Sequence, residues 1–546
     1  MGLTLGDDVT DVCAHIGYDH LPFVDFLTND LTEFFEFVAS VLSKHSNVLW
    51  EFLGDSLTHP IDGLITLLVR GVALITNVLS IGLRHDRSVS AYCLQVLYHL
   101  LGIGNPLRHL RVRNIMNPRR QGTWLVVIGV ILFVLTVVVS GALAPEIGSV
   151  GDSDSRRTLV GSQGGGPGWH EYGSVYLLTG RNVTWREASA GSYFDVTKTS
   201  NGTVLAGFMD GGYQKCAPYE SPCSRSGFRV IDPTPTPHVI SEYSFSVRDK
   251  KDSEVHDVER LPSGEYLMTD MEHERIFTVK NGAVTWQWNG RSFYDAPSDP
   301  TKSDWLHIND VDVIGDGRYL ISIRNTNQLL VIQRGKGVVE VINKDTPTSS
   351  DESCRRSGQL ADYDNDGDVR CGDPSVLNHQ HNPQWIGDGA VLVADSDNDR
   401  IVELHRTESG EWRPVWTVGS ASGVEFNWPR DADRLPNGNT LITDTLNRRI
   451  VEVNSEGKVV WSTRTPRIPY EADRLPVGET VGGPQYSSDT SLIVTPGNDI
   501  PVLSSLLVLL RAIVPATPFW FGIPQLALSL LSLALILIGG VQYLRH

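Results

Sequence analysis

Between roughly residues 170 and 480 the apolar positions fall in short runs of Val, Ile, Leu and Thr, broken by Gly, Asn and Asp, and the same text recurs: RLPSGEYLMTDMEHERIFTV, VIGDGRYLISIRNTNQLLVI, WIGDGAVLVADSDNDRIVEL and RLPNGNTLITDTLNRRIVEV. Runs of this length bounded by turn residues predict strands. The copies align on the turn glycines Gly264, Gly317, Gly389 and Gly438, and weaker copies flank them at Gly202 and Gly478, which makes six. A period near 50 residues built from short strands predicts the blades of an all-β, six-bladed propeller rather than a sandwich or a helical solenoid. Equivalent positions of successive blades then converge on one axis. Eight residues before the glycines stand His256, Asn309, His381 and Arg430, with Phe194 and Tyr470 in the weaker copies. His307 and Asn309, two apart on an extended strand, are expected to share a face, and Arg324 follows on the next strand.

Outside the repeats the pattern changes to helical and membrane-type runs. Residues 1–115 place apolar positions at helix spacing, and the run from Leu64 to Leu83, interrupted by Arg70 and Asn77, reads as an interfacial or buried helix. Met116 opens MNPRRQGTWLVV, which resembles an ordinary membrane-protein start, so residues 1–115 are read as an over-extended start. Residues 123–143 are continuously apolar and long enough to cross a bilayer. Arginines, among them Arg119 and Arg120, precede this run and Glu146, Asp152 and Asp154 follow it, which sets the downstream chain outside. A Gly/Ser/Asp-rich stretch, 144–168, reads as a flexible linker into a propeller over 169–495, with an insertion at 345–378. Residues 501–515 carry Arg511 and read as an interfacial helix, and 519–543 form a second span ending at Arg545. The expected topology is a cell-membrane protein with an extracytoplasmic propeller and both termini cytoplasmic.

Composition narrows the partners. A net charge of −18 over 546 residues leaves no basic face for nucleic acid. Cys216 with Cys223 and Cys354 with Cys371 form two locally spaced pairs, expected as disulfides in an oxidising compartment, and no CxxC metal spacing occurs. Asn182 and Asn201 head glycosylation sequons. In the insertion, Asp362, Asp364, Asp366, Gly367, Asp368 and Asp373 follow the spacing of a calcium loop, with Asp in place of the usual Glu at the last position. A structural calcium is expected there; the plainer reading is a solvated acidic loop.

Three of the repeats carry an acid five residues before an arginine, Asp270/Arg275, Asp395/Arg400 and Asp444/Arg449, a pairing that reads as blade scaffolding. In the Asn309 blade Ile323 and Gln328 replace both members, and Arg324 stands one position later, released for another task. His256, His307 and His381 are brought together by the repeat geometry, and His379 lies one same-face step from His381. Three histidines could hold zinc or copper, but ligation gives Asn309 and two arginines no role. An anionic substrate does: guanidinium forks and an amide hold its oxygens, while a neutral imidazole serves as nucleophile or acid/base.

The DWLHIND…SIR block, the earlier His256-Asp-Val with LPSGEYL, and Gln380-His381 together resemble the arylsulfate sulfotransferase family over roughly residues 170–480. The resemblance implies a six-bladed propeller that moves a sulfuryl group from an aryl sulfate donor to a phenol-type acceptor without nucleotide sulfate or other catalytic cofactor. It also implies a sulfohistidine on His381, a second channel histidine at His256, and sulfuryl binding with leaving-group assistance by His307, Asn309 and Arg324. Arg430 comes from the repeat register and is expected to steer anionic donors. The tethered ends and Asp-rich insertion depart from the bacterial pattern and leave a glycan acceptor open. Two competing readings are a non-catalytic cell-surface propeller that binds a ligand or protein, and a quinone-dependent dehydrogenase, for which no specific motif is present.

Overall fold

The computed structural model describes residues 118–144, 155–164, 172–250, 253–345, 360–486 and 517–545, with isolated residues between these ranges. The expected helical segment 1–115 and most of 501–515 lie outside the described residues.

Six four-stranded antiparallel sheets follow one another along the chain. Their first strands are Ser192–Lys198, Val258–Arg260, Ile308–Gly315, His381–Gly387, Asp431–Arg434 and Pro469–Leu475, and these open blades 1 to 6. Blade 6 is composite. Its first strand comes from the C-terminal end of the repeats, and its other three are Arg157–Ser162, Ser174–Thr179 and Asn182–Glu187. The ring is thus closed by hydrogen bonds between the two ends of the propeller, with Leu159 opposite Asp473. This corrects the expected linker over 144–168. Residues 157–162 form a strand, and Thr158 to Ser162 are buried, because the sixth blade needs a partner for Pro469–Leu475.

Each blade is buried on both faces, so its middle strands read as unbroken apolar runs. In blade 3, Ile321 and Leu330 pack toward blade 2 residues such as Leu267 and Ile276. Their neighbours Leu320, Leu329 and Val331 pack instead against Val391, Val393 and Val402 of blade 4. The turn glycines that align the copies, Gly264, Gly317, Gly389 and Gly438, all have positive φ, between 60° and 84°. A side chain there would meet the steric penalty that glycine avoids.

Polar side chains stitch the blades around the axis. The carboxylate of Asp195 accepts Val258 N–H of the next blade at 3.2 Å, Asp257 accepts Val311 N–H at 2.6 Å and Asp312 accepts Trp385 N–H at 3.0 Å. Gln384 accepts Arg434 N–H, Asp431 accepts Ala472 N–H, and Glu471 accepts Val196 N–H, which returns the circuit to blade 1. The expected pairs Asp270–Arg275, Asp395–Arg400 and Asp444–Arg449 form at 2.8, 2.6 and 2.6 Å. Cys216–Cys223 and Cys354–Cys371 are disulfide-bonded.

Two helices form a separate unit, α1 (Pro118–Leu143) and α2 (Ile523–Arg545). Each is long and apolar enough to cross a membrane. They pack antiparallel through small residues: a Cβ on Gly122 would lie 2.6 Å from the carbonyl of Gly539, and one on Gly129 would lie 2.7 Å from that of Ser532. Small residues let the two backbones approach closely, the arrangement that apolar surroundings favour.

Candidate active site

The six register positions meet at the start of the inner strands. Phe194 and Tyr470, from the weakest copies, close the circle: Phe194 lies 4.9 Å from the His256 ring and 5.3 Å from Tyr470. Tyr470 stacks on His256 at 5.5 Å, approaches His381 at 6.1 Å and sits under the Arg430 guanidinium at 4.9 Å. Asn309 donates its amide to the Gln380 carbonyl at 2.9 Å, which ties blade 3 to the residue before His381.

Convergence here has a local cause. Ladder pairing skips a register at Phe194–Asp195, at Asn309 and at Asn382–Pro383, so the inner strands bulge where they meet the site. Bulges of this kind re-aim side chains. The residue two before the register position is also unusual: His307, His379 and Trp428 have φ of 56°, 47° and 52°. His307 therefore precedes its strand, which begins at Ile308, in left-handed backbone. The period-of-two rule used to pair it with Asn309 does not set its direction. The His307 ring instead stacks on His256 at 5.2 Å and meets His381 edge-on at 6.4 Å.

Each imidazole has its own orienting partner. His307 Nδ1 lies 2.5 Å from Asp304, His256 Nε2 lies 3.2 Å from Glu254, and His379 Nδ1 lies 2.8 Å from Asp397. His381 differs, since its Nδ1 faces the Ser396 hydroxyl at 2.8 Å and the His379 carbonyl at 3.2 Å. The Ser396 hydroxyl points its hydrogen at the Pro429 carbonyl, 2.7 Å away. A carbonyl only accepts, and a hydroxyl that donates elsewhere accepts here, so Nδ1 of His381 carries the proton. Its Nε2 keeps the lone pair. The three imidazoles do not gather at one ligand point; Glu254, His256 and His307 share a locus that does not include His381.

Burial dominates the electrostatics. Desolvation pushes His381 well below the usual imidazole range, helped by Arg430, Arg324, His307 and His256. Desolvation also brings His307 down to about 4, against the opposing pull of Asp304. Both rings are neutral near pH 7. Arg324 opens a 3-10 turn, Arg324–Thr326, immediately after its strand, and donates to Asn325 at 2.9 Å. No acid five residues away claims it. Gln328, at the position of the missing scaffold arginine, bonds Tyr294 and the Asn343 carbonyl instead. Arg430 is buried between the Trp428 and Tyr470 rings and donates to Gln163. Four buried polar atoms around the ring have no hydrogen-bond partner among the described residues: His256 Nδ1, Asn309 Oδ1, Arg430 Nε and Tyr470 Oη. Orphaned polar groups at one locus mark a place built for a polar ligand.

Residue-type reasoning overlooked Ser396, yet the repeat contains it. Ser396 stands fifteen residues after His381, the same offset that separates Arg324 from Asn309. Both open 3-10 turns at the end of the second strand. Glu254 and Trp428 occupy the register of His307 and were equally legible there. Asp304 and Asp397 have no such signal.

In the insertion, Asp362, Asp364 and Asp366 come together, with carboxylate oxygens within 4.8 Å of one another. Asp362 accepts the N–H groups of Asp366 and Gly367, while Asp368 N–H bonds Asp366. Asp373 is not part of that cluster; its carboxylate accepts Ser375 N–H at 2.8 Å and starts the turn leading to His379.

No curated protein matches the chain. Among solved structures it is similar to a protein of unknown function from Bacteroides caccae, at 16% identity and TM-score 0.39 over 59% of this chain and 100% of that one. It is also similar to virginiamycin B lyase from Staphylococcus aureus (11%, TM-score 0.31, 51% and 73%) and a periplasmic gluconolactonase from Pseudomonas aeruginosa (13%, TM-score 0.34, 59% and 99%). At these scores the likenesses carry no argument about activity. Residues 195–413, the stretch holding His256, His307, Asn309, Arg324 and His381, match the family model described as arylsulfotransferase (ASST).

Proposed function

We propose that the protein is a membrane-anchored aryl-sulfate sulfotransferase that carries a sulfuryl group from a phenolic sulfate ester to a phenol-type or glycan acceptor through a sulfohistidine on His381. The match to the arylsulfotransferase family model supports aryl sulfotransferase activity in general. The observation that carries the finer reading is the hydrogen bonding of His381: Nδ1–H held by Ser396 and the His379 carbonyl, and a ring kept neutral by burial. An imidazole so held is a nucleophile without needing a base to activate it.

In the first step the Nε2 lone pair attacks sulfur. The N–S bond forms as the S–O bond to the donor breaks, and the phenol leaves with that electron pair as phenolate. Nδ1 keeps its proton throughout. In the second step an acceptor hydroxyl gives its proton to Nε2 of His307, oriented through Nδ1 by Asp304, and its oxygen attacks sulfur. The N–S pair returns to His381. Arg324 and Arg430 supply positive charge for the sulfuryl oxygens, where preorganised donors act most strongly. Asn309 spends one amide hydrogen on Gln380 and has a second to offer an oxygen.

Placement of the propeller on the extracytoplasmic side of the cell membrane, with both termini inside, is supported by Arg119 and Arg120 ahead of the apolar run of α1 and by the two disulfides. The Asp362–Asp364–Asp366 cluster suits a structural calcium that would order the insertion leading into His379 and His381.

Treatment with 4-nitrophenyl sulfate in the absence of acceptor is the direct test. The chain should gain the mass of one sulfuryl group, and digestion should place it on His381. Turnover without any such gain, or a gain on another residue, would overturn the covalent route. The pH profile gives a second check. For a base whose folded pKa is lowered, the folded state binds fewer protons than the unfolded chain between the two values. With His307 at about 4 and the ordinary imidazole near 6.5, stability should fall as pH drops from about 6.5 toward 4. The first sulfuryl transfer should stay level from pH 8 to below 6 in stopped-flow nitrophenol release. An acid limb centred near 6.5 would mean that the nucleophile is hydrated.

A further inference from the structure

We propose that the axial channel holds a calcium ion, bound by two tiers of carboxylates that belong to the same repeat as the histidine site. One residue past the register positions come Asp195, Asp257, Asp310, Asp431 and Glu471, with Asn382 as the sixth member. Three residues past come Glu259, Asp312, Asp433 and Asp473, with Thr197 and Gln384. The turn after the last inner strand then brings in Glu479, held by Thr197 at 2.9 Å.

Scaffolding explains only part of this. One oxygen of Asp195, Asp257, Asp312, Asp431 or Glu471 accepts a backbone N–H of the following blade, as described above. The second oxygens of Asp195 and Glu471 meet the Thr197 hydroxyl and the Asn382 amide, but others in the two tiers meet nothing. Asp257 Oδ1, Asp310 Oδ2 and Asp473 Oδ2 are buried and have no hydrogen-bond partner among the described residues. Asp257, Asp310 and Asp473 are themselves only 4, 6 and 1% exposed. Asp310 and Asp473 line a cavity of about 20 Å³ together with Asn382, whose Oδ1 is likewise unpartnered, and Glu479. A volume of that size accommodates one small occupant.

No arginine or lysine forms an ion pair with any of these acids among the described residues. Burial comes first and neighbouring carboxylates next in raising Asp257, Asp310 and Asp433 above the ordinary range. A cation of charge two relieves both costs. The geometry fits one: oxygens of Asp195, Glu471 and Glu479 lie within 4.8 Å of one another, as do those of Glu259, Asp312 and Glu479. Glu479 is common to both groups. An all-oxygen, carboxylate-rich set of irregular shape favours calcium, which takes six to eight oxygens flexibly, over magnesium, which demands near-ideal octahedral geometry.

The test uses the full chain in detergent and a background in which Asp362→Asn and Asp364→Asn remove the surface loop from consideration. After dialysis against calcium and removal of free ion, elemental analysis should find one calcium per chain in that background. In a matched sample kept in excess calcium, chelator should lower the unfolding temperature by roughly 5 °C, the size expected when a ligand is present far above its dissociation constant. Adding Asp312→Asn and Glu479→Gln should abolish both the bound calcium and the chelator effect. Absence of calcium in the Asp362→Asn, Asp364→Asn background overturns the proposal even if the axial variant fails to fold. Retention of calcium after the axial substitutions overturns it as well. Neither result bears on sulfuryl transfer, which is read separately by the mass gain on His381.

Discussion

His381→Ala is expected to lower sulfuryl transfer from 4-nitrophenyl sulfate by about 10⁴-fold or more, the scale seen when a covalent nucleophile is deleted. Donor-dependent mass gain should vanish with it. The loss follows from geometry, since no second imidazole is set up in the same way. His307 has its Nδ1 on Asp304 and His256 has its Nε2 on Glu254, so carboxylates orient both toward proton chemistry. His379 is bound to Asp397 and, among the described residues, has no ring contact with His256, His307 or His381. Ser396→Ala should act differently, as a positioning change. Losing the hydroxyl frees the His381 ring to turn, so kcat should fall by about 10-fold, the equivalent of one hydrogen bond, with KM little altered. Ser396→Thr should restore most of it. If His381→Ala turned over normally, the nucleophile would lie elsewhere and the proposed mechanism would fall.

Glu403→Ala should cost about 3 to 5 kcal/mol of stability, because it strands a guanidinium in the interior. Glu403 and Arg434 are fully buried and 3.0 Å apart, between the third strand of blade 4 and the first strand of blade 5. Arg434 stacks against Tyr486 at 3.4 Å, and the Glu403 carboxylate accepts Tyr486 N–H. The pair therefore also anchors the chain after the last blade. Thermal unfolding of the full chain in detergent would measure the loss. Replacing both members, Glu403→Leu with Arg434→Met, should recover much of it, since a buried ion pair contributes little beyond what well-packed apolar groups supply. The exposed pair Arg413–Glu411 is the control, with side chains 69% and 62% exposed, and its loss should change stability by less than about 1 kcal/mol. Equal costs at the two pairs would mean that Arg434 finds other partners when Glu403 is gone.

The repeat was legible because each blade solves the same problem of turning a buried strand, and glycine takes the positive φ at Gly264, Gly317, Gly389 and Gly438 with the least steric cost. Aligning those turns placed His256, Asn309, His381 and Arg430 in one register, and the scaffold pairs singled out Arg324 by their absence from blade 3. The apolar runs of α1 and α2 were equally plain, since crossing hydrocarbon is a matter of length and composition. Tertiary structure alone decided the rest. Strand alternation could not show that bulges and left-handed residues turn His307 and Asn309 out of the regular pleat. Nothing local to Arg157–Ser162 announced a strand whose partner lies some 300 residues away. Nor could residue spacing fix which nitrogen of His381 holds its proton, which depends on a serine in the next strand's turn and a carbonyl from the following blade. Local sequence determines what a backbone prefers, whereas the tautomer of a buried imidazole and an axial ring of acids depend on distances between segments that only the closed propeller brings together.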